Sequence, residues 1–453
     1  MPGRAIAPAI CNETMAVQDF ALPFLEMAWS LPDMQEFLNR QVMRALCPGK
    51  TVRGLAINRM TYSPGGKCAI MYDARFGESP ESPRQPLLVS FDKGDRLQKA
   101  YELRYGDSGV GTGGRAVYLP EYRCLVELFP DDWNLPSLAM TMDPKQAAEF
   151  LARVGVEGAE APLIEVLSYR IHRRCVLRYG GETPDGAAGV VGKVYAPGVQ
   201  IEEIARKLEA LRAQAKGKGV IVQTPLGVAQ ELNMLMLGWV PGAAMSIMLE
   251  KARSRSEAEE TARLAAQVLA TLHTFRLDGT EVRVVESELA HVRQRSRRLP
   301  VVVPRLGRQA GAILNQIEPL VGALSPVAPA LLHGDYKPGQ LVVNGGQVAV
   351  IDVDRVCVGD PAVDVGNFMA ALQEMTLRTG SGQLQGMEEH FLTEYMAHTG
   401  DQGLELRARV AQCIALVRLA LSRFRAAPYA YTEDCCSLPD LLLEEAAACL
   451  TEL

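Results

Sequence analysis

Apolar positions along the chain change period several times, and each change marks an element. Residues 21–46 carry apolar side chains at helical spacing, predicting a helical opening. From Leu55 to Tyr72 apolar and polar residues alternate, and Leu87-Leu88-Val89-Ser90-Phe91 is a short apolar run; both predict strands. Pro144–Val154 predicts a short helix and Gly155–Pro162 a linker. A second passage begins near Leu163. Ile164–Tyr169, Arg174–Tyr179 and Val190–Tyr195 predict three strands, with a turn-rich loop Gly180–Gly186 before the third. Gln200–Ala215 predicts a helix with Ile201, Ile204, Leu208 and Leu211 on one face, and Val220–Val222 and Leu232–Leu237 predict two further strands. Beyond Gly238-Trp239-Val240-Pro241-Gly242 the pattern is mostly helical. Ser256–Phe275 is expected to open on a capping box of Ser256 and Glu259, and long helices are expected over Leu404–Ala426 and Leu438–Leu450.

These elements predict three regions: 1–155, strand-rich after its helical start; 156–240, five strands with one helix after the third; and 241–453, helical. A weak internal repeat links the first two. In Thr61–Tyr72 and Ser168–Tyr179 two tyrosines and a cysteine stand at the same offsets. Either the first region is a degenerate copy of the second, or two β-hairpins resemble each other by chance. The strand Leu87–Phe91 has no lysine where the second copy has Lys193.

Composition narrows the function classes. The chain has 453 residues, 48% hydrophobic and 22% charged, with a net charge of −6, so it can bury sizeable cores and offers no whole-chain case for binding nucleic acid or an anionic membrane. The basic run Arg293, Arg295, Arg297, Arg298, Arg305 and Arg308 reads as a solvated helix face and loop, with polyanion binding as the alternative. The cysteines (Cys11, Cys47, Cys68, Cys124, Cys175, Cys357, Cys413, Cys435, Cys436 and Cys449) are scattered without metal-ligand spacing and suit a reducing compartment. No secretory pattern opens the sequence and no run reaches the roughly 18–20 apolar residues of a membrane span, so a cytoplasmic protein is expected.

The chemistry concentrates in Leu332-His333-Gly334-Asp335-Tyr336-Lys337-Pro338-Gly339-Gln340-Leu341-Val342-Val343, followed by Asn344-Gly345-Gly346-Gln347 and Val348-Ala349-Val350-Ile351-Asp352-Val353-Asp354. Two apolar runs around a Gly-Gly turn predict a hairpin that sets Gln340 across from Ile351. Asp352 then returns beside Gln340, and Asp335 lies in the loop feeding the first strand. Two carboxylates and an amide oxygen at one end of a hairpin suit magnesium, which takes one or two protein carboxylates and completes its shell with water and phosphate oxygens. A separate carboxylate can orient and deprotonate a hydroxyl for in-line attack on phosphorus.

This arrangement resembles the aminoglycoside phosphotransferase and maltokinase-like branch of the protein-kinase-like superfamily. The matching residues are His333-Gly334-Asp335, Ile351-Asp352 and Gly359-Asp360-Pro361-Ala362-Val363-Asp364. The resemblance implies an α+β, protein-kinase-like bilobal fold: a five-stranded N-lobe and a mostly helical C-lobe, here with an additional N-terminal α+β cap domain. It implies Asp335 as catalytic base, Asp352 as the principal magnesium ligand, and Asp364 as a brace for the catalytic loop. Gln340 stands where the family more often has Asn, and Gln at this place is similar to maltokinases. Lys193 resembles the kinase lysine that meets the α- and β-phosphates, its carboxylate partner expected from the next helix, where Glu202, Glu203 and Glu209 are equivalent candidates. Gly238 and Val240 resemble the hinge that holds adenine. His273 and His333 are expected to pack rather than transfer protons. The loop Ser168–Arg173 occupies the place of a glycine-rich loop but has no glycine; Arg170, Arg173 and Arg174 either meet phosphate or decorate a hairpin. Asp354 is open between substrate contact and a solvated strand end.

The implied activity is ATP- and Mg2+-dependent transfer of the γ-phosphoryl group to a hydroxyl of a small sugar, amino-sugar or aminoglycoside-like acceptor. An aminoglycoside would want an acidic cleft, for which Glu374, Glu388, Glu389, Glu394, Glu433 and Asp434 are candidates. The alternative is a pseudokinase that binds nucleotide or a partner without turnover. A protein kinase is disfavoured by the absence of glycine-rich, Asp-Phe-Gly and Ala-Pro-Glu elements.

Overall fold

A computed structural model describes residues 17, 19–106, 114–156, 162–182, 188–277, 282–430 and 437–453. The expected linker 155–162 and loop 180–186 lie largely outside these residues, as do Cys11, Cys435 and Cys436. The chain forms two compact units, Met1–Trp133 with Ser296–Arg308 and Leu421–Pro439, and Asn134–Arg295 with Gln309–Ala420 and Asp440–Leu453.

The first unit carries strands β1 (Gly54–Ser63), β2 (Lys67–Arg75), β3 (Arg84–Asp92), β4 (Ala116–Leu119) and β5 (Cys124–Leu128), in the antiparallel order β1-β2-β3-β5-β4. Helix Arg96–Tyr105 follows β3 and packs Leu97 against Ala116 and Leu125, with Tyr101, Tyr105, Tyr118 and Trp133 around them. The helical opening is broken into Leu25–Trp29, Leu31–Phe37, a π-helical turn Leu38–Val42, and Met43–Leu46.

The second unit repeats that sheet. Its strands β6 (Ile164–Arg170), β7 (Arg174–Glu182), β8 (Ala188–Tyr195), β9 (Val220–Val222), β10 (Pro225–Ala229) and β11 (Met234–Gly238) include a five-stranded sheet of order β10-β11-β8-β7-β6. Helix Ile201–Ala215 follows β8 and buries Ile201, Ile204, Leu208, Leu211 and Ala215. The correspondence with the first unit is local as well as topological. Tyr62 pairs with Cys68 as Tyr169 pairs with Cys175. Tyr72 and Tyr179 each donate their hydroxyl to a backbone carbonyl of a preceding helix, that of Ala28 and of Thr141. The last strand of each sheet is entered through a 3₁₀ turn ending on a left-handed residue, Arg123 (φ 47°) or Asn233 (φ 47°). Ser90, opposite Ala69, stands where Lys193 stands opposite Val176.

Two strand expectations are corrected. Val220–Val222 does not join the five-stranded sheet; as β9 it pairs in parallel with the later hairpin strand Gln347–Val350. The fifth member is β10, hidden in the sequence by Pro225 and Gly227. Proline is tolerated there because β10 is an edge strand, and glycine is required by Val154, whose Cγ1 would lie 2.8 Å from a Cβ at 227.

The rest of the second unit is helical except for short strands: β12 (Ala243–Ala244), β13 (Val282–Arg283), β14 (Ala330–Leu332), β15 (Leu341–Asn344), β16 (Gln347–Val350) and β17 (Cys357–Gly359). Helix Arg255–Leu272 is capped by Ser254, whose hydroxyl accepts from Glu257 N at 3.2 Å, two residues before the expected Ser256 and Glu259. The apolar stripe of that helix admits either start; the Ser-x-x-Glu spacing at 254–257 closes the first turn. Helices Ala362–Thr379, Leu404–Ala426 and Leu438–Thr451 follow. Gly366 lets the first two approach closely: a Cβ there would lie 2.5 Å from Gln412 N. A five-stranded sheet with one helix, then a helical lobe entered through residues 238–242, is the protein-kinase-like bilobal α+β fold. Among the described residues no helix is long and apolar enough to cross a membrane.

Candidate active site

Strand β14 delivers the chain into His333-Gly334-Asp335. Gly334 has φ 76°, and a Cβ on it would stand 2.4 Å from Arg355 O, so only glycine fits this crossing. Asp364, fully buried in the first turn of helix Ala362–Thr379, accepts from His333 N (2.6 Å) and Gly334 N (3.0 Å) and so fixes the loop's backbone. His333 Nδ1 accepts from Asp335 N at 3.3 Å, which leaves Nε2 as the protonated nitrogen, donating to Ile351 O at 3.0 Å. His273 sits between Tyr395 Oη (2.6 Å) and Asp364 (3.5 Å). Both histidines are buried.

The hairpin β15–β16 has the expected register, with Leu341 opposite Val350, and Ile351 N donates to Gln340 O at 3.0 Å. Gly345 (φ 56°) and Gly346 (φ 82°) make its turn. The hairpin brings Gln340 to Asp352, Nε2 to Oδ2 at 3.2 Å. Asp352 itself is left-handed (φ 60°, ψ 44°), uncommon for a non-glycine residue and typical of functional positions. Asp335 accepts from Lys337 Nζ at 2.7 Å. Burial raises the Asp335 carboxyl, but the Lys337 ammonium, with Arg418 and His333, carries it below the usual carboxylate range. A carboxylate so held is ionised at neutral pH and can receive a proton.

Lys193 points from the central strand β8 onto the same residues. Its Nζ lies 2.8 Å from Asp352 Oδ1 and 2.8 Å from Asp354 Oδ1. Arg174, at the start of β7, reaches Asp352 with Nη1 at 2.7 Å and Nη2 at 3.1 Å, and also donates to Asp354. Tyr195 Oη donates to Asp354 at 2.8 Å. Burial raises the Asp352 carboxyl, yet Lys193 and Arg174 together hold it far below its ordinary value. Burial lowers the Arg174 guanidinium, and the opposing carboxylates raise it.

The carboxylate partner of Lys193 therefore does not come from the next helix. Glu202 pairs with Gln230, Glu203 with Lys207 and Glu209 with Arg212, all on the side opposite the buried stripe. Tyr195 was not singled out by the sequence, and Arg174 only as meeting phosphate or decorating a hairpin, not as a partner of Asp352. The signal was available: in the β7–β8 register Arg174 faces Tyr195 and Val176 faces Lys193, so alternation puts all four on one face.

At the entrance to the helical lobe, Gly238 and Val240 line a cleft of about 160 Å³ with Thr224, Trp239, Val342 and Ala349. Gly238 is already hydrogen-bonded, N to Thr224 O (2.8 Å) and O from Gln223 Nε2 (3.0 Å), and Trp239 N donates to Gly189 O (3.1 Å). On the far side of Asp335, Arg283 Nη1 donates to Gly334 O (2.9 Å), and Arg283 and Arg418 share Glu288 at 3.4 and 3.5 Å.

The donors near Asp352 are hard oxygens, the kind magnesium takes. Among the described residues no three His, Cys, Asp or Glu side chains converge to cage a metal. The set fits a cation that uses one or two carboxylates, here Asp352 with the Gln340 amide oxygen, and leaves its other positions to water and phosphate.

A model for a family described as "Phosphotransferase enzyme family" matches residues 179–411. No curated protein sequence matches the chain. Among solved structures, a choline kinase from Cryptosporidium parvum Iowa II is similar with a TM-score of 0.48 and 10% identity over 68% of this chain and 96% of that one. A choline/ethanolamine kinase family protein from Mesorhizobium loti gives 0.44 and 14% over 70% and 94%. A macrolide 2'-phosphotransferase from Brachybacterium faecium gives 0.42 and 20% over 68% and 99%. At such scores the family match alone decides membership. It spans just over half of the chain and contains Lys193, the His333–Asp335 loop, the β15–β16 hairpin and Asp364: the chain belongs to the phosphotransferase enzyme family.

Proposed function

We propose that this phosphotransferase is a small-molecule kinase that moves the γ-phosphoryl group of ATP, with Mg2+, to a hydroxyl of a small polyhydroxylated acceptor. The observation that carries the reading is the meeting of Gln340 and Asp352 at one end of a hairpin, with Lys193 2.8 Å from Asp352 and Asp335 in the loop that His333 ties to Ile351. Asp335, ionised and flanked by Lys337, orients the acceptor hydroxyl and takes its proton as the new oxygen–phosphorus bond forms and the bond to the β–γ bridging oxygen breaks. Lys193 binds the α- and β-phosphates. Asp352 and Gln340 would hold magnesium, which when bound would supply charge neutralisation on the phosphate oxygens. Gly238 and Val240 bound the adenine cleft; with Gly238 and the Trp239 N–H already hydrogen-bonded, the Trp239 carbonyl and the Val240 backbone meet the base.

The charges near Asp335 favour a neutral or anionic acceptor over a polycationic aminoglycoside. Lys337, Arg283 and Arg418 surround it, with Glu288 shared by two arginines. Glu374 is buried beside Arg378, and Glu389 pairs with Arg409 at 2.8 Å. Glu433 and Asp434 lie outside the described residues.

The second reading, a pseudokinase, is favoured by one observation: Arg174 occupies both oxygens of Asp352. Transfer from γ-labelled ATP to a panel of sugars, sugar acids, sugar phosphates and aminoglycosides separates the two. Labelled product from a neutral or acidic polyol supports the kinase; tight Mg-ATP binding with no product across the panel supports the pseudokinase.

A further inference from the structure

We infer that Arg174 is a phosphate-binding residue that doubles as the resident counter-ion of the metal site, so that nucleotide and divalent metal each bind well only in the presence of the other. The inference rests on the kinase reading above and adds to it a residue and a coupling.

The β6–β7 turn cannot cradle phosphate as a glycine-rich loop does. Its left-handed position is taken by His172 (φ 59°), and Arg173 N is consumed by Arg170 O at 2.9 Å. The cation that follows the turn is placed instead. Arg174 is 13% exposed, and its planar fork spans Asp352 bidentately.

Counting acceptor sites shows the consequence. An ionised carboxylate has about four lone-pair sites. Asp352 Oδ1 accepts from Arg174 and Lys193, and Oδ2 from Arg174 and Gln340, so its capacity is filled. Asp354 accepts from Lys193, Arg174 and Tyr195. Two carboxylates face two cations, and the cluster is neutral. A divalent ion arriving alone meets no open oxygen on Asp352 and no attractive field from the neutral cluster. Drawing Arg174 and Lys193 off Asp352 would leave two mostly buried cations sharing the one carboxylate of Asp354, a costly state. An incoming polyphosphate removes that cost, because it offers the same two cations several negative oxygens and leaves Asp352 open to metal. By linkage, whatever the nucleotide does for metal affinity the metal does for nucleotide affinity.

The test uses Mn2+ as the probe, followed by the electron paramagnetic resonance signal of the free ion, and ADP. The full chain is compared as wild type, Arg174→Met and Arg174→Lys, with nucleotide affinity also measured in excess chelator. The wild type is expected to bind Mn2+ at least ten-fold more tightly with ADP than without. Arg174→Met is expected to bind Mn2+ alone at least ten-fold more tightly than wild type, and metal-free ADP at least ten-fold more weakly. Arg174→Lys keeps the charge without the fork and should fall between them; it carries the test if the methionine variant does not fold. Wild-type Mn-ADP binding with variants unchanged in both affinities overturns the inference and leaves the kinase reading standing. No ADP binding by wild type with Mn2+ present overturns both.

Discussion

Arg174 and Asp352 lie 178 positions apart in the chain and meet through two nitrogen–oxygen contacts of 2.7 and 3.1 Å. One comes from β7, the second strand of the five-stranded sheet, the other from the end of the β15–β16 hairpin. Their pairing joins the two lobes of the second unit at the point where phosphate chemistry is proposed.

Removing the cation at the centre of that junction tests its energetics. Lys193→Met leaves Asp352 and Asp354 with one buried partner fewer. Loss of one member of a mostly buried pair typically costs about 3–5 kcal/mol. The urea midpoint should fall accordingly and ATP affinity should drop with it; unchanged stability would mean the pair is solvent-screened.

Acid should weaken the same junction. Asp352 is held far below its ordinary value near 3.8 by Lys193 and Arg174 despite burial. A depressed carboxylate stabilises the fold above its unfolded value, and that contribution is lost as pH falls through the folded value. Between about pH 5 and about pH 3 the wild type should lose more stability than Asp352→Asn. Equal losses in the two proteins would contradict the ion-pair assignment.

Asp364 makes a different prediction, since it touches the loop and not the reacting groups. It accepts two backbone N–H groups, from His333 and Gly334. Hydrogen bonds to charged groups contribute about 1.5–3 kcal/mol each. Asp364→Asn retains one acceptor oxygen and should lower stability by about 2 kcal/mol, with turnover falling more than nucleotide affinity. Equal loss of both would place Asp364 at the nucleotide instead.

Two glycines in helices should respond oppositely to the same change. A Cβ at Gly366 meets Gln412 N at 2.5 Å and Ala411 C at 2.7 Å, whereas at Gly311 nothing lies within 4 Å. Gly366→Ala should destabilise by about 1–3 kcal/mol. Gly311→Ala should stabilise by about 0.5–1 kcal/mol through backbone entropy. Thermal unfolding of both variants checks the helix packing behind the catalytic loop.

The hairpin with Gln340 and Asp352 was legible from alternation and a Gly-Gly turn, because local pattern sets register there. The doubled sheet was legible only as three matching side chains, Tyr, Cys and Tyr; they persist because each is pinned, the cysteines by cross-strand pairing and the second tyrosines by buried hydroxyls. What escaped was decided by tertiary contact. Strand β10 is disguised by a proline its edge position permits and a glycine that Val154 demands. The partner of Lys193 is chosen by the hairpin returning from far along the chain, while the helix next to it turns its glutamates to solvent. No local spacing carries that choice.

The central claim is that Asp335 takes the acceptor's proton in a phosphoryl transfer, and single-turnover transfer from γ-labelled ATP with Mg2+ tests it most directly, wild type against Asp335→Asn. The account predicts a rate lower by about 10²–10⁴-fold in the variant, with Mg-ATP affinity within about three-fold of wild type. Transfer at the wild-type rate by Asp335→Asn would contradict it.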